Sequence, residues 1–338
     1  MFERILVPLD GSTRAERALP IAARVARTTG GTLVLLRVVN FLGEYSSPLM
    51  QGLAFIRRVT ASELEAKQYL ASIAKLDALA DIPIETEVLH GTPALALLDA
   101  IPEHHIDSVI ICSRGHTGVK RWVLGSVALE IAQYSSVPVL ILHEDHVLPP
   151  DFYPEPRPPI RIFGIVIALD GSERTLTTLE PAAYLAAAMA APTEGILHLT
   201  QVLPLPPTSG VDESIDLATQ GQVLSAAKKY MSRIADDLRE GLAKKLNLQV
   251  NWSIIIDMDV AHGLMTEAET RQASNKRYEF IAMTAQGERP HWPTSTVTEH
   301  ILSVNQLPLL IVPPQETETK PEQAEFELME VEPHLVKF

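Results

Sequence analysis

Short runs of Val, Ile and Leu alternate with longer segments that repeat apolar residues at helical spacing. In the first half of the chain, the runs at 4–9, 32–39, 107–112 and 137–142 predict buried parallel strands. Residues 84–89 alternate apolar and acidic positions, which predicts an edge strand. Strands and helices that alternate in this way are typical of a doubly wound parallel α/β sheet.

Four helices are predicted between these strands. The first is expected to open with the capping box Thr13-x-x-Glu16, and the second is expected over 57–80. The third begins at Thr92-Pro93, a capping residue followed by proline at the first helical position, and the fourth begins at Ser126.

The same pattern occurs a second time. Three segments recur in the same order: Ile5–Ser12 as Ile165–Ser172, His90-Gly91 as His262-Gly263, and Val137–Leu142 as Leu307–Val312. The strands of the second copy are predicted at 161–169, 194–202, 249–255, 278–284 and 307–312. The chain is therefore expected to hold two tandem five-stranded domains of one fold.

Composition places the boundaries of these domains. Six of the eleven residues from Pro149 to Pro159 are proline, which is typical of a stiff extended linker. The predicted units are a first domain at 1–146, a linker at 147–160 and a second domain at 161–314. The tail at 315–338 holds seven Glu and two Lys, which predicts a solvated segment or a short stretch that docks on a partner.

Charge and cysteine content limit the partners. The net charge is −14, of which −3 falls on residues 1–150, so that we expect no nucleic-acid partner. Cys112 is the single cysteine, which fits a reducing compartment. No apolar stretch approaches the roughly 20 residues needed to span a bilayer, and the N-terminus has no signal-peptide pattern. These features predict a cytoplasmic protein with no membrane partner.

Two segments carry residues suited to a ligand at the carboxyl ends of the strands, where such sheets bind. The first is Pro8–Ser12, in which the Asp10 carboxylate can accept hydrogen bonds from hydroxyl groups and Gly11 permits a close turn. A plain turn with a helix cap would explain the same Gly and Ser.

The second segment is Ser113–Gly118, followed by Gly125-Ser126 at the start of a helix. Glycines allow the backbone to approach an anion, and a helix N-terminus offers unpaired N–H groups. Arg114, Lys120 and Arg121 add three positive charges within eight residues. We expect a di- or triphosphate here, with a glycine-rich surface turn as the alternative.

On these residues the chain resembles the universal stress protein family, from Phe2 to Pro314 as two tandem domains. The family's ATP-binding members carry the motif G-x2-G-x9-G-[S/T] after the fourth strand. Gly115 and Gly125-Ser126 match its last three fixed positions, whereas Cys112 stands in place of the first glycine. The resemblance implies an adenine-nucleotide α-hydrolase-like fold with strand order 3-2-1-4-5. It also implies an intramolecular pseudo-dimer in which the final strands of the two copies pair, and it allows a homodimer.

The resemblance implies a nucleotide site formed by Pro8, Leu9, Asp10, Val38, Cys112, Ser113, Arg114, Gly115, His116, Gly125, Ser126 and Val127. In this site Asp10 would hold the ribose and Val38 would border the adenine, while the glycines and Ser126 would cradle the phosphates. The implied ligand is ATP, ADP or AMP, with Mg²⁺ bridging the phosphates of ATP. The implied role is regulation in a stress response with slow or no hydrolysis, and no catalytic residue or protein-held metal is predicted.

The second copy keeps Asp170 but has a different loop. Thr284–Gly287 is followed by seven residues before Ser295-Thr296, and Glu288 places a negative charge where a phosphate would approach. We expect this site to be lost or changed to another ligand.

Three other function classes remain as alternatives. The first is a nucleotide-independent dimeric scaffold with vestigial sites, which Cys112 and the altered second loop favour. A nucleotidyl transferase would need a His-x-Gly-His motif where Asp10–Thr13 stands, and a phosphoacceptor regulator would need an aspartate where Leu89-His90 stands.

Overall fold

The structure is a computed structural model. It describes residues 1–40, 53–113, 124–143, 163–204, 213–273, 277–285, 296–304 and 307–314. The predicted linker at 147–160 and tail at 315–338 lie outside these residues, so that the domain boundaries stay predictions.

Each half of the chain forms five strands with helices between them. The first half contains β1 (Arg4–Pro8), α1 (Leu19–Thr29), β2 (Thr32–Val39), α2 (Leu53–Ile73), β3 (Ile84–His90), α3 (Pro93–Glu103), β4 (Ser108–Cys112), α4 (Ser126–Tyr134) and β5 (Val139–Leu142). The second half contains β6 (Phe163–Leu169), α5 (Leu179–Ala190), β7 (Gly195–Leu203), α6 (Glu213–Glu240), α7 (Leu242–Lys245), β8 (Leu248–Ile256), α8 (Val260–Ala273), β9 (Arg277–Thr284), α9 (Thr296–Val304) and β10 (Leu309–Val312).

The described strands join into one ten-stranded sheet. Its order is β3-β2-β1-β4-β5-β10-β9-β6-β7-β8, which is 3-2-1-4-5 followed by the same order reversed. Neighbouring strands are parallel except at the centre, where β5 and β10 pair antiparallel with Leu140 opposite Leu310. The predicted fold class, strand order and pairing of the final strands are confirmed.

A hydrophobic layer on each face of this sheet runs through both halves. One layer includes Ile5 and Leu35 from the first half together with Ile165 and Leu199 from the second, all fully buried. The opposite layer is built in the same way. Because each layer is continuous across the central strand pair, the two halves bury a shared core.

The start of the first helix differs from its prediction. A 3-10 turn occupies Ala15–Ala18, and α1 begins only at Leu19. No capping box forms, because the Ser12 hydroxyl accepts the hydrogen bond from the Ala15 amide at 3.2 Å. The predicted pair at Thr13 and Glu16 is therefore wrong, and Ser12 holds the turn instead.

The other three helices agree with the sequence at most ends. The starts of α3 at Pro93 and α4 at Ser126 are confirmed. The segment predicted as one helix over 57–80 is α2, which begins four residues earlier at Leu53 and ends at Ile73, followed by a 3-10 turn at Asp77–Leu79.

The proposed repeat of His90-Gly91 as His262-Gly263 is wrong. His90 ends β3 opposite Val39, and in the second copy the strand end opposite Leu203 is Ile256. His262 is the third residue of α8, one turn further along the chain. The two histidines therefore do not share a position, and their sequence similarity is a coincidence of a short motif.

Arg24 links the two halves beside the central strands. Its guanidinium donates to the carbonyl oxygens of Met189 at 2.9 Å and Ala191 at 2.8 Å, at the end of α5. Carbonyls at the end of a helix lack intrahelical donors and carry partial negative charge, so a cation stabilises them.

We expect Arg24→Ala to lower the free energy of unfolding by about 2 kcal/mol, since it removes two hydrogen bonds from a charged donor. Urea denaturation followed by circular dichroism measures this loss. Arg27→Ala is the matched control on the same helix. It breaks an exposed ion pair with Asp81 and an exposed hydrogen bond to the Ala78 carbonyl within the same half, so a loss below about 1 kcal/mol is expected. Equal losses in the two variants would contradict the bridging role of Arg24.

Candidate functional site

The segment after β1 forms a tight turn at the carboxyl edge of the sheet. The Leu9 amide still donates to the Leu36 carbonyl at 2.8 Å, and the chain then turns at Gly11, whose φ is 87°. The Asp10 carboxylate accepts the Ser12 amide at 2.9 Å. Gly11 is required by this backbone conformation, which side-chain-bearing residues rarely adopt.

The end of β4 lies next to this turn. Ile5 and Leu6 pair with Ser108 and Val109, and the same register carried forward places Asp10 beside Ser113. The side chain of Ser113 is buried, and its carbonyl accepts the Gly125 amide at 2.7 Å. This bond joins the end of β4 to the residue before α4, so the start of α4 stands at the same edge as Asp10.

The N-terminus of α4 is open to solvent at this edge. Gly125 precedes the helix in an extended conformation, Ser126 is exposed, and no side chain caps the first turn among the described residues. The first N–H groups of a helix lack intrahelical partners and favour anions. The arrangement can therefore accept the negative end of a ligand.

The structure brings most of the predicted nucleotide-site residues to one edge. Pro8, Leu9, Asp10, Val38, Cys112, Ser113, Gly125, Ser126 and Val127 stand at strand ends or at the start of α4. Val38 is half-buried and packs on the α3 and α4 face of the sheet. Arg114, Gly115 and His116 lie outside the described residues, as do Lys120 and Arg121.

Sequence reasoning missed Arg37 at this edge. A methyl group added to Gly11 would lie 3.2 Å from an Arg37 guanidinium nitrogen, so this cation covers the turn that carries Asp10. Arg37 also stacks on the Tyr69 ring at 5.0 Å and lies 3.6 Å from the Glu65 carboxylate. The turn thus has a fixed positive charge on the face of the sheet that α2 covers.

Tyr69 completes the network around Arg37. Its hydroxyl donates to the Glu16 carboxylate at 2.9 Å. Burial raises the pKa of Tyr69, and the hydrogen bond to Glu16 raises it further, so the phenol stays protonated. Tyr69 has a counterpart in Tyr230, which stands next to equivalent buried positions of α6. This repeat is the sequence signal that could have indicated Tyr69.

The second half builds a related turn with different neighbours. Asp170 accepts the Ser172 amide at 2.8 Å and the Thr175 hydroxyl at 3.0 Å, and Gly171 has φ 93°. Burial opposes ionisation of Asp170, but the hydrogen bonds from Ser172 and Thr175 outweigh it and lower the pKa. The loop at 286–295 is outside the described residues.

His262 and Asp257 form an exposed pair at the edge of the second half. His262 Nδ1 lies 2.7 Å from Asp257 Oδ2, and this contact raises the pKa of the imidazole. We expect Asp257→Asn to return that pKa toward its ordinary value of 6.5. A histidine with a raised folded pKa adds stability at low pH that is lost as the pH rises through that pKa.

An NMR titration of the His262 ring protons measures the shift. Asp259→Asn serves as the control, since Asp259 raises the pKa of His262 less than Asp257 does. A His262 titration unchanged by Asp257→Asn would contradict the pairing.

The described residues lack the features of two other site classes. They contain no group of three or more His, Cys, Asp or Glu side chains placed to hold a metal ion. Within the same residues, none of the helices combines the length and the apolar character needed to cross a bilayer.

Known proteins similar to this chain share one family. Residues 1–143 match the model of the universal stress protein family. Universal stress protein YxiE of Bacillus subtilis is 29% identical over 148 residues, which are 42% of this chain and 99% of that protein. Universal stress protein MJ0531 of Methanocaldococcus jannaschii is 25% identical over 142 residues, 42% of this chain and 82% of that protein.

Solved structures match over nearly the whole length. A universal stress protein from Archaeoglobus fulgidus has a TM-score of 0.60 at 19% identity, covering 93% of this chain and 99% of that one. A putative universal stress protein from Pseudomonas aeruginosa has a TM-score of 0.54 at 13% identity, covering 92% of this chain and 93% of that one. At these identities the likeness shows the fold. Residues 1–143 therefore match the universal stress protein family, and the fold of the whole chain is similar to that of solved universal stress proteins.

Proposed function

We propose that the first half of the chain binds an adenine nucleotide, with ATP as the leading ligand, and that the protein acts as a cytoplasmic regulator in a stress response. One observation carries the proposal: Asp10, the Ser113 strand end and the open N-terminus of α4 meet at one edge of the sheet. A carboxylate for hydroxyl groups beside an anion-accepting helix end matches the two ends of a nucleotide.

Charge along the loop supports phosphate binding. Arg114, Lys120 and Arg121 add three cations in sequence between Ser113 and Gly125, and Mg²⁺ would neutralise part of the remaining triphosphate charge. The residues proposed to contact the phosphates are Gly115, Gly125, Ser126 and Val127. Arg114 and His116 are proposed at the loop.

We propose slow or no hydrolysis. The Asp10 carboxylate already accepts the Ser12 amide, and its place beside the turn suits a hydroxyl group of the ligand. Fast phosphoryl transfer needs a group that orients the attacking water, and the sequence offers no residue with that role.

Calorimetric titration of the full chain with Mg-ATP tests the proposal. We expect one equivalent per chain, abolished by Gly115→Glu and weakened at least tenfold by Asp10→Ala. Asp170→Ala is the matched control in the second half and should leave the affinity unchanged. Two equivalents, or equal losses in the two aspartate variants, would contradict a single site in the first half.

A nucleotide-independent scaffold is the second candidate. Its specific support is Cys112, which is buried at the strand end where the family motif has a glycine. No heat and no thermal shift at millimolar nucleotide would favour this candidate. We also propose that any homodimer uses a surface other than β5 and β10, because these two strands already pair with each other. Light scattering after size exclusion measures the oligomeric state.

A further inference from the structure

The second half contains a polar cluster that differs from its counterpart in the first half by unsatisfied hydrogen-bonding groups. We call Asp170, Gly171, Thr175, Gln201 and Tyr230 the second-half cluster. All five stand at the carboxyl edge of β6 and β7, on the face that α6 covers.

Gln201 is a buried member of this cluster. Its side chain is 6% exposed, and its Nε2 lies 3.1 Å from where a methyl group on Gly171 would stand. Its Oε1 is excluded from solvent and has no hydrogen-bond partner among the described residues. A buried amide oxygen without a donor is costly, so this atom points to a missing donor.

Tyr230 supplies the second unsatisfied group. Its hydroxyl oxygen is shielded from solvent and also has no partner in the described structure. Burial raises the pKa of Tyr230, a polar interaction with the Thr175 side chain lowers it, and the Asp170 carboxylate raises it. The phenol is therefore neutral, close to the Asp170 turn, and able both to donate and to accept a hydrogen bond.

The first half shows how the same positions are satisfied. Strand register makes Arg37 the counterpart of Gln201, and the helix pattern makes Tyr69 the counterpart of Tyr230. Arg37 lies beside Glu65, and the Tyr69 hydroxyl donates to Glu16.

Each of these partners is replaced in the second half. The counterparts of Glu16 and Glu65 are Leu176 and Ala226, which cannot accept a hydrogen bond through their side chains. Arg37 and Glu65 thus become the smaller Gln201 and Ala226, so the substitutions remove side-chain volume as well as partners.

Charge around the cluster selects the ligand class. Asp170 is exposed, and Glu173 and Arg233 are the other charged groups that act on the Tyr230 phenol. Two carboxylates against one guanidinium disfavour a phosphate. The buried groups that lack partners, the Gln201 amide and the Tyr230 phenol, are neutral and match a neutral hydroxyl group. A hydroxyl group can donate to Gln201 Oε1 and accept from Tyr230 at once.

We propose that the second-half cluster binds a small neutral polyhydroxylated molecule, with one hydroxyl between Gln201 Oε1 and the Tyr230 hydroxyl and a neighbouring hydroxyl donating to Asp170. This site is separate from the nucleotide site proposed for the first half, and it lies on the face of the sheet opposite Val202, the counterpart of Val38.

Ligand-observed NMR on the full chain tests this site, with D-ribose and myo-inositol as probes. The chain used in this experiment carries Asp10→Ala, which removes the contact proposed between Asp10 and the nucleotide. A failure to bind the probes is therefore independent of the result with Mg-ATP. We expect saturation transfer to at least one probe at millimolar concentration, not displaced by inorganic phosphate. Loss of one hydrogen bond should weaken binding about fivefold in Tyr230→Phe, and Gln201→Ala should weaken it about tenfold.

Tyr69→Phe is the matched control and should leave probe binding unchanged. Tyr230→Phe removes only one buried hydroxyl group, which has no partner at hydrogen-bond distance among the described residues. Its melting temperature should therefore stay close to that of the parent even where Gln201→Ala fails to fold. No transfer to either probe at 50 mM, or transfer unaffected by Tyr230→Phe, would overturn the proposal. A crystal structure with 100 mM D-ribose that shows only water at Gln201 Oε1 and Tyr230 would overturn it as well.

Discussion

Glu267→Ala is expected to destabilise the protein by about 3 kcal/mol, because it removes the acceptor at the centre of a buried polar network. Glu267 Oε1 lies 2.9 Å from His198 Nε2 and accepts hydrogen bonds from Ser253 at 2.8 Å and Arg271 at 2.6 Å. The His198 side chain is fully buried and that of Glu267 is 14% exposed. Urea denaturation measures the loss, and exchange protection of α8 amides should fall with it.

An apolar replacement of the whole network is the control. In the first half Val34 occupies the position of His198 and is buried. We expect His198→Val, Ser253→Ala and Glu267→Leu together to stay within about 1 kcal/mol of the parent, since buried ion pairs are often matched by packed apolar groups. A triple variant as unstable as Glu267→Ala would contradict this account.

The same network predicts how stability depends on pH. Burial lowers the pKa of His198 below its ordinary 6.5, so its contribution is present above pH 6.5 and is lost as the pH falls through the folded pKa. The hydrogen bond from His198 lowers the pKa of Glu267 to about 2, so that contribution is lost between pH 4.5 and 2. His198→Val should remove the first loss, as measured by denaturation at pH 5 and 7.5.

Gly31→Ala is expected to cost about 3 kcal/mol, because the added methyl group would overlap the backbone carbonyl oxygen of Phe2. Gly31 lies between α1 and β2, and the same methyl group would also lie 3.2 Å from the Glu3 carbonyl. The carbonyl groups of Phe2 and Glu3 lead directly into β1. They cannot shift without breaking the pairing of β1 with β2. Thermal and urea denaturation measure the loss.

The neighbouring glycine separates steric overlap from backbone strain. Gly30 ends α1 with φ 72°, and a methyl group there would meet nothing within 4 Å. We expect Gly30→Ala to cost about 1 kcal/mol from the left-handed conformation alone. If Gly30→Ala were the more damaging change, the close approach at Gly31 would not be what fixes this turn.

The strands could be predicted from sequence because their apolar runs are local. Ile5–Ser12 and Ile165–Ser172 read alike in sequence and occupy equivalent strand ends in the sheet. The start of the first helix could not be predicted, since the 3-10 turn at Ala15–Ala18 depends on the Ser12 hydroxyl instead of the residue pair that normally indicates a cap.

The networks inside the fold could not be predicted, because they join residues far apart in the chain. His198 lies within an apolar run that predicts a buried strand. No residue near it in the sequence indicates that its side chain contacts Glu267, which is 69 residues further along the chain. The contact of Arg37 with the turn at Gly11 likewise depends on where the fold places β2, which the local sequence does not indicate. The residues proposed for the nucleotide site at 8–10 and 125–127 follow from motif spacing, which indicates a strand end and a helix start.

The antiparallel pairing of β5 with β10 has a consequence for how the two halves can change. In an assembly of two identical chains, every substitution at the contact appears twice and must suit both sides. Here the two paired halves belong to one chain, so neither half can be replaced by another copy. The covalent link fixes the effective concentration of one half near the other. A one-sided contact such as Arg24 with the end of α5 is then allowed, and one half can alter its ligand chemistry while the other keeps its own.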